Sequence, residues 1–352
     1  MAFWKKIGKI SVGVSAALLL AACGNGGNDS DDNSDGGESD GDNFSAVIVT
    51  DVGGVDDKSF NQGAWEGLTE WGKENGKEQG NSGYAYIQSD SESDYITNLN
   101  SAVSNGFNLI FGVGYKLVDA IKETASNNPD THFAIIDEVI DADNVASVTF
   151  KDNEAAFLAG VAAANETKVD KVGFIGGAKS PVIDRFEAGF VAGVKAVNPD
   201  IDIVVEYVND FGDAAKGKQL AAAMYADGAD IIYQAAGGSG NGVFSEAKDI
   251  VKADPSREIW VIGVDRDQTD EGVIGDRNVT LTSTTKGVGV AVKNLTEESA
   301  KGNFPGGEHQ ELGLADDGVG LTDGQLSDDT KTQIEDFKKQ IIDGSLEVPE
   351  KP

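Results

Sequence analysis

The sequence predicts an α/β protein built as two doubly wound lobes, each around a parallel sheet, and three observations lead to that reading. Short apolar runs of strand character alternate with longer stretches of helical period, the order that βαβ crossovers produce. Several of these runs, such as Ile231-Ile232-Tyr233 and Trp260-Val261-Ile262, are apolar without interruption, as strands covered by helices on both faces must be. The alternation occurs in two series within the roughly 300 residues that follow Asn43, enough chain for two cores.

In the first series, strands are expected at Ala46–Val52, Tyr84–Gln88, Leu109–Val113, Phe133–Asp137 and Val145–Phe150, with helices near Asn61–Asn75, Ser93–Asn105, Lys116–Asn127 and Glu154–Thr167. The second series supplies strands at Lys171–Ile175, Asp202–Tyr207, Ile231–Gln234 and Trp260–Val264. Later segments, Leu281-Thr282-Ser283, a helix near Gly287–Ala300 and a helix at Asp328–Ile342, complete the lobes. The expected division gives 44–149 with 281–304 to one lobe and 150–280 with 305–352 to the other. No Gly/Ser linker follows Asn43, so several strands, not one flexible joint, should connect the two.

The beginning of the chain reads as an export signal. Lys5, Lys6 and Lys9 precede an apolar run from Ile10 to Ala22, 13 residues long. A helix needs about 20 residues to cross a bilayer, so residues 1–22 are expected to be a signal peptide and not a span. Leu20-Ala21-Ala22-Cys23 resembles the bacterial lipobox, which implies cleavage before Cys23 and its acylation. Cys23 is the only cysteine, which rules out an internal disulfide. Residues 24–43 contain only Gly, Asn, Asp, Ser and Glu, seven of them acidic, and are expected to form a disordered tether with a reach of about 25 Å. The folded part would thus be held on the extracytoplasmic face of the cell membrane.

The charge balance narrows the partners. With 60 acidic against 28 basic residues and a formal charge of −32, nucleic acid and anionic headgroups are poor candidates. Only His132 and His309 are present, neither at metal-ligand spacing, so zinc chemistry and a histidine-based triad are not expected, and neither metal nor cofactor is assigned. Binding is favoured over catalysis, although a carboxylate-based enzyme remains open on residues alone.

Ligands of open parallel sheets bind outside the carboxyl ends of the strands, and the informative residues stand there. Asp51 follows the first strand and opens a loop through Ser59, Phe60 and Asn61 into a helix. Ser59 could equally be that helix's cap and Phe60 a core anchor. Asp137 and Asp265 end two further strands; an aspartate there is often only a cap, but three at neighbouring strand mouths favour a cleft. The loop around Gly238 would let backbone amides approach a ligand, and Phe211 ends a strand of the second series. One aromatic from each lobe could hold a flat ring, with carboxylates facing hydroxyl groups. Lys286, which is equally readable as a surface lysine, would supply a buried donor.

Taken together, residues 51–67 (DVGGVDDKSFNQGAWEG), 111–115 (FGVGY), 133–137 (FAIID), 171–177 (KVGFIGG), 235–243 (AAGGSGNGV), 261–268 (VIGVDRDQ) and 281–286 (LTSTTK) resemble the basic membrane protein family of lipoproteins, the PnrA-like purine nucleoside receptors. The resemblance implies a type I periplasmic-binding fold that holds a purine nucleoside such as inosine, guanosine or adenosine between its lobes and passes it to an ABC permease. It also implies roles: Phe60 and Phe211 stack on the base, Asn61 and Asp137 bond its edge, and Asp51, Asp265 and Lys286 meet the ribose with the Gly238 loop nearby. A receptor of the same fold for a sugar, or a nucleoside-processing enzyme, is the alternative.

Overall fold

The computed structural model describes residues 44–352. The expected signal peptide, the Cys23 lipidation site and the acidic tether lie outside the described residues.

The first lobe opens with β1 (Ala46–Thr50), α1 (Phe60–Glu74), β2 (Tyr84–Ile87), α2 (Tyr95–Ser104), β3 (Leu109–Val113), α3 (Val118–Asn127), β4 (His132–Ile136) and β5 (Val145–Phe150). The second continues with α4 (Asp152–Glu166), β6 (Lys171–Gly176), α5 (Pro181–Val197), β7 (Asp202–Tyr207), α6 (Ala214–Ala226), β8 (Ile231–Ala235), α7 (Gly240–Ala253) and β9 (Trp260–Gly263). A small antiparallel hairpin, β10 (Val273–Ile274) and β11 (Arg277–Asn278), leads to β12 (Thr280–Lys286), α8 (Val288–Ala300), β13 (His309–Leu312), β14 (Val319–Leu321) and α9 (Asp328–Ile342).

One sheet has the order β13-β5-β4-β3-β1-β2 and the other β14-β12-β9-β8-β6-β7. All neighbours are parallel except β14, which runs antiparallel to β12. The chain order doubles back twice, between β1 and β3 and between β6 and β8, and such switch points leave a crevice beyond the strand ends.

This topology corrects the lobe boundaries read from sequence. Residues 281–286 were expected with the first lobe, yet β12 pairs in parallel with β9 in the second sheet. Within 305–352, expected with the second lobe, the strand β13 alone pairs with β5 in the first, while β14 pairs with β12 in the second. Strands β12 and β13 return after the regular alternation has ended, and their partners are set by long-range pairing that no local pattern encodes.

Strand β1 shows why the runs lack alternation. Ala46 and Ile48 face the core shared with α1 and α8, while Val47 and Val49 face α2 and α3. Both faces are dry, so both need apolar side chains. Helix α4 extends the same logic: from Ala155 to Ala163 it is buried without a break and apolar throughout.

Helices α4 and α5 meet through glycines. A Cβ built on Gly193 would lie 2.0 Å from the Phe157 carbonyl oxygen, and one on Gly160 would lie 2.2 Å from that of Phe190. Both obstacles are backbone, so neither can rotate away. Gly193→Ala is therefore expected to cost about 1–3 kcal/mol as the helices separate. Chemical denaturation checks this, and an unchanged midpoint would refute the close packing.

The lobes are joined where β5 passes to α4 at Lys151, β12 to α8 at Gly287, and β13 to β14 through 313–318. These segments are bonded side by side: the Lys151 amide donates to the Leu312 carbonyl at 2.9 Å and the Gly287 amide to that of Gly318 at 2.8 Å.

Candidate functional site

Both switch points open onto one cleft between the lobes. The cavity that remains between the lobes measures about 50 Å³. Residues that follow β1, β3, β4, β8 and β9 line it, joined by the start of α1 and one face of α5.

The loop after β1 is organised by two buried carboxylates. Asp57 accepts the amides of Ser59 at 2.8 Å, Asn61 at 2.9 Å and Gln62 at 3.1 Å, and so caps α1. The reading of Ser59 as the cap fails: its side chain makes no capping bond, and its hydroxyl donates across the cleft to Asp265. Asn61 shares its Nδ2 between Asp51 at 2.8 Å and Asp57 at 3.1 Å. Phe60, at the first turn of α1, is left half-buried on the cleft wall.

Lys286, at the end of β12, is buried, donates a hydrogen bond to Asp137 at 2.7 Å and is ion-paired with Asp152 at 3.1 Å. Its ammonium lies 5.1–5.6 Å from the ring centres of Phe150, Phe60 and Phe186. Such faces stabilise a desolvated cation. The surface reading of Lys286 is thus overturned. Burial alone would lower its pKa, but Asp137, Asp152 and Asp265 outweigh it and leave the group raised and charged. Asp137 and Asp265 both take left-handed backbone conformations, φ 71° and 66°, which turn their side chains away from the strand direction.

Burial governs the acids. It pushes Asp265 up to about 7 and Asp57 up to about 6, and it raises Asp51 and Asp152 as well. Among the described residues, Oδ1 of Asn61 and Oδ1 of Asp137 are buried without a hydrogen-bond donor. Unmet acceptors of this kind are costly, so they mark positions where a donor from outside the chain is rewarded.

The second lobe contributes Phe211, held against Gly177 and the Gly237–Gly238 turn. Tyr115 from the first lobe meets its ring edge-on at 6.4 Å, and the Lys116 ammonium sits 5.7 Å from its centre. Val182, Ile183 and Phe186 of α5 form an apolar floor. Further bonds tie the lobes: Gln268 Nε2 to the Lys58 carbonyl at 2.8 Å, Asn241 Nδ2 to that of Asp57 at 3.1 Å, and Arg266 to Glu66 at 3.1 Å.

Of the residues singled out from sequence, Asp51, Phe60, Asn61, Asp137, Phe211, Gly238, Asp265 and Lys286 line the cleft, and Ser59 lies behind Asp265. Asp57, Tyr115 and the α5 floor were missed. Asp57 sat within the same loop, and Ser180-Pro181 is a legible helix start that would have placed α5. Asp152 and Arg185 gave no local signal.

A family model described as ABC transporter substrate-binding protein PnrA-like matches residues 44–352. The chain is 53% identical over 351 residues to the CD4+ T-cell-stimulating antigen of Listeria innocua, covering 97% of this chain and 98% of that one. It is 50% identical over 313 residues to the ABC transporter nucleoside-binding protein BmpA of Lactococcus lactis, covering 87% and 89%. Among solved structures, ABC transporter solute-binding proteins of Aeropyrum pernix K1 superpose with a TM-score of 0.77 at 28% identity, over 87% of this chain and 94% of that one.

Proposed function

Because this chain belongs to the PnrA-like family of ABC transporter substrate-binding proteins, extracytoplasmic receptors and not enzymes, we propose that its ligand is a purine nucleoside, held between the lobes for delivery to a permease. In this reading Phe60 and Phe211 flank the base, and Asn61 and Asp137 accept hydrogen bonds from its edge. Asp51 and Asp265 take the ribose hydroxyls, helped by Lys286 and the Gly238 turn. Cys23 carries the lipid that keeps the receptor at the membrane.

The observation that carries the reading is the pair of buried, donor-less acceptors, Asn61 Oδ1 and Asp137 Oδ1, in a cleft that has an aromatic ring from each lobe in its walls. A purine offers N–H donors in the plane of a ring and two faces for packing. The carboxylates of Asp51, Asp57 and Asp265 also argue for a neutral ligand, since a phosphate among them would meet repulsion little screened by solvent.

Calorimetric titration at pH 8 with inosine, guanosine, adenosine, their monophosphates and free ribose tests the proposal. Nucleosides should bind and monophosphates should not. Phe211→Ala should weaken nucleoside binding by about 1–3 kcal/mol, the value of one stacked base. Tighter binding of a monophosphate would overturn the charge argument, and ribose binding as well as inosine would make the protein a sugar receptor.

A further inference from the structure

The cleft lysine has a second partner that the proposed ligand contacts do not include. Asp152 is the first residue of α4, its side chain is 0% exposed, and it lies between the Lys286 ammonium at 3.1 Å and Arg185 at 3.2 Å. Lys286 immediately precedes the crossover at Gly287, and Asp152 immediately follows the one at Lys151. Both belong to the second lobe, whereas Asp137, the other partner of Lys286, belongs to the first.

We propose that Asp152 is a positioning residue for ligand capture: by sharing the Lys286 ammonium with Asp137, it keeps one oxygen of Asp137 free to accept a bond from the ligand. The geometry shows the division of labour. Lys286 engages Asp137 through Oδ2 alone, and Oδ1 of the same carboxylate has no donor. An ammonium has three N–H donors and turns to whatever acceptors surround it. With Asp152 neutral, Lys286 would swing onto both oxygens of Asp137 and occupy the acceptor the ligand needs. The three rings around the ammonium supply no directional alternative. Asp152 is itself fixed from behind by Arg185 and by the N-terminus of α4, where a negative charge is favoured.

This inference rests on the proposed nucleoside reading for its binding arm, and a ligand-free arm keeps the two separable. Inosine titrations of the wild type, Asp152→Asn, Lys286→Gln and the double variant form a cycle. Asp152→Asn should weaken binding by roughly ten- to hundredfold, the scale of a lost bond to a charged group. The double variant should bind no more weakly than Lys286→Gln alone, because Asp152 acts through that lysine. Wild-type affinity in Asp152→Asn, or fully additive losses, would overturn the proposal.

Should Asp152→Asn fail to fold, Arg185→Gln serves in its place. It removes the guanidinium that fixes Asp152 beside Lys286, and the several-fold loss of affinity that follows should vanish in the Lys286→Gln background; additivity would again refute the idea. Without ligand, nitrogen-15 lysine NMR should show one slowly exchanging ammonium in the wild type, absent in Lys286→Gln and exchange-broadened or shifted in Asp152→Asn or Arg185→Gln. An unmoved signal overturns the positioning role. If the wild type binds no nucleoside but that signal moves, the nucleoside assignment fails while the positioning role stands.

Discussion

Lys286→Met is expected to lower the folding free energy by about 3–5 kcal/mol at pH 8, the cost typical of removing one partner from a buried ion pair. The lysine side chain is 3% exposed, and those of Asp137 and Asp152 are 5% and 0% exposed. Methionine fills similar space between Phe60, Phe150 and Phe186 but leaves two carboxylates facing each other, with Arg185 as the remaining cation on Asp152. Stranded carboxylates escape their penalty by taking up protons, so the loss should shrink as the pH is lowered. Urea unfolding at pH 8 and pH 5 measures both effects. A loss below about 1 kcal/mol at pH 8 would place the ammonium in water instead of among the rings.

The second large effect is an inverted pH profile. In the unfolded chain Asp57 and Asp265 ionise near 3.8, but in the fold burial holds them at about 6 and about 7. Between those values the folded protein keeps protons that the unfolded chain has released. The stabilisation tied to these groups is therefore complete below about 3.8 and is lost as pH rises through 6 and 7, at up to about 1.4 kcal/mol per pH unit for each group. Asp51 and Asp152 shift in the same direction through burial. The formal charge of −32 adds to the trend, because protonation relieves repulsion.

At the acid end the sign reverses. Burial opposes ionisation of Glu166, yet bonds from Thr330 and Ser327 prevail and hold it below 4.5, so its contribution is lost as pH falls through its folded pKa. The ligand-free protein should thus melt at a higher temperature at pH 5 than at pH 8, and Asp265→Asn should flatten the difference. A melting temperature that rises from pH 5 to pH 8 would contradict the burial of these acids.

Strand interiors were legible because burial on both faces writes itself into composition. Leu109–Val113 and Val145–Phe150, buried at every residue, begin and end where the apolar runs do. Helices α5, α6 and α7 are not among the elements bounded from sequence. The cleft residues at strand mouths, Asp51 and Asp137 directly after β1 and β4 and Asp265 two residues beyond β9, could be found by position alone. The lobe membership of β12 and β13 depends on pairing with strands far away in the chain, and the partnership of Asp152 with Lys286 depends on two crossovers coming side by side. Ser59 illustrates a different limit: its residue type favours a cap, but Asp57 two positions earlier satisfies the helix amides first, which releases the hydroxyl for the opposite lobe.

Three neighbouring straps, knitted to one another by main-chain bonds, behave mechanically like a door hung on several leaves. Rotation about their common line is soft, whereas sliding or twisting one half past the other would have to break the ladder from Lys151 to Leu312 and from Gly287 to Gly318. The jaws must therefore return to the same bite each time, with the hydroxyl of Ser59 arriving opposite Asp265 on every stroke. A permease reading the outline of this receptor would meet a single repeatable shut profile, set by the backbone and independent of which ligand it held.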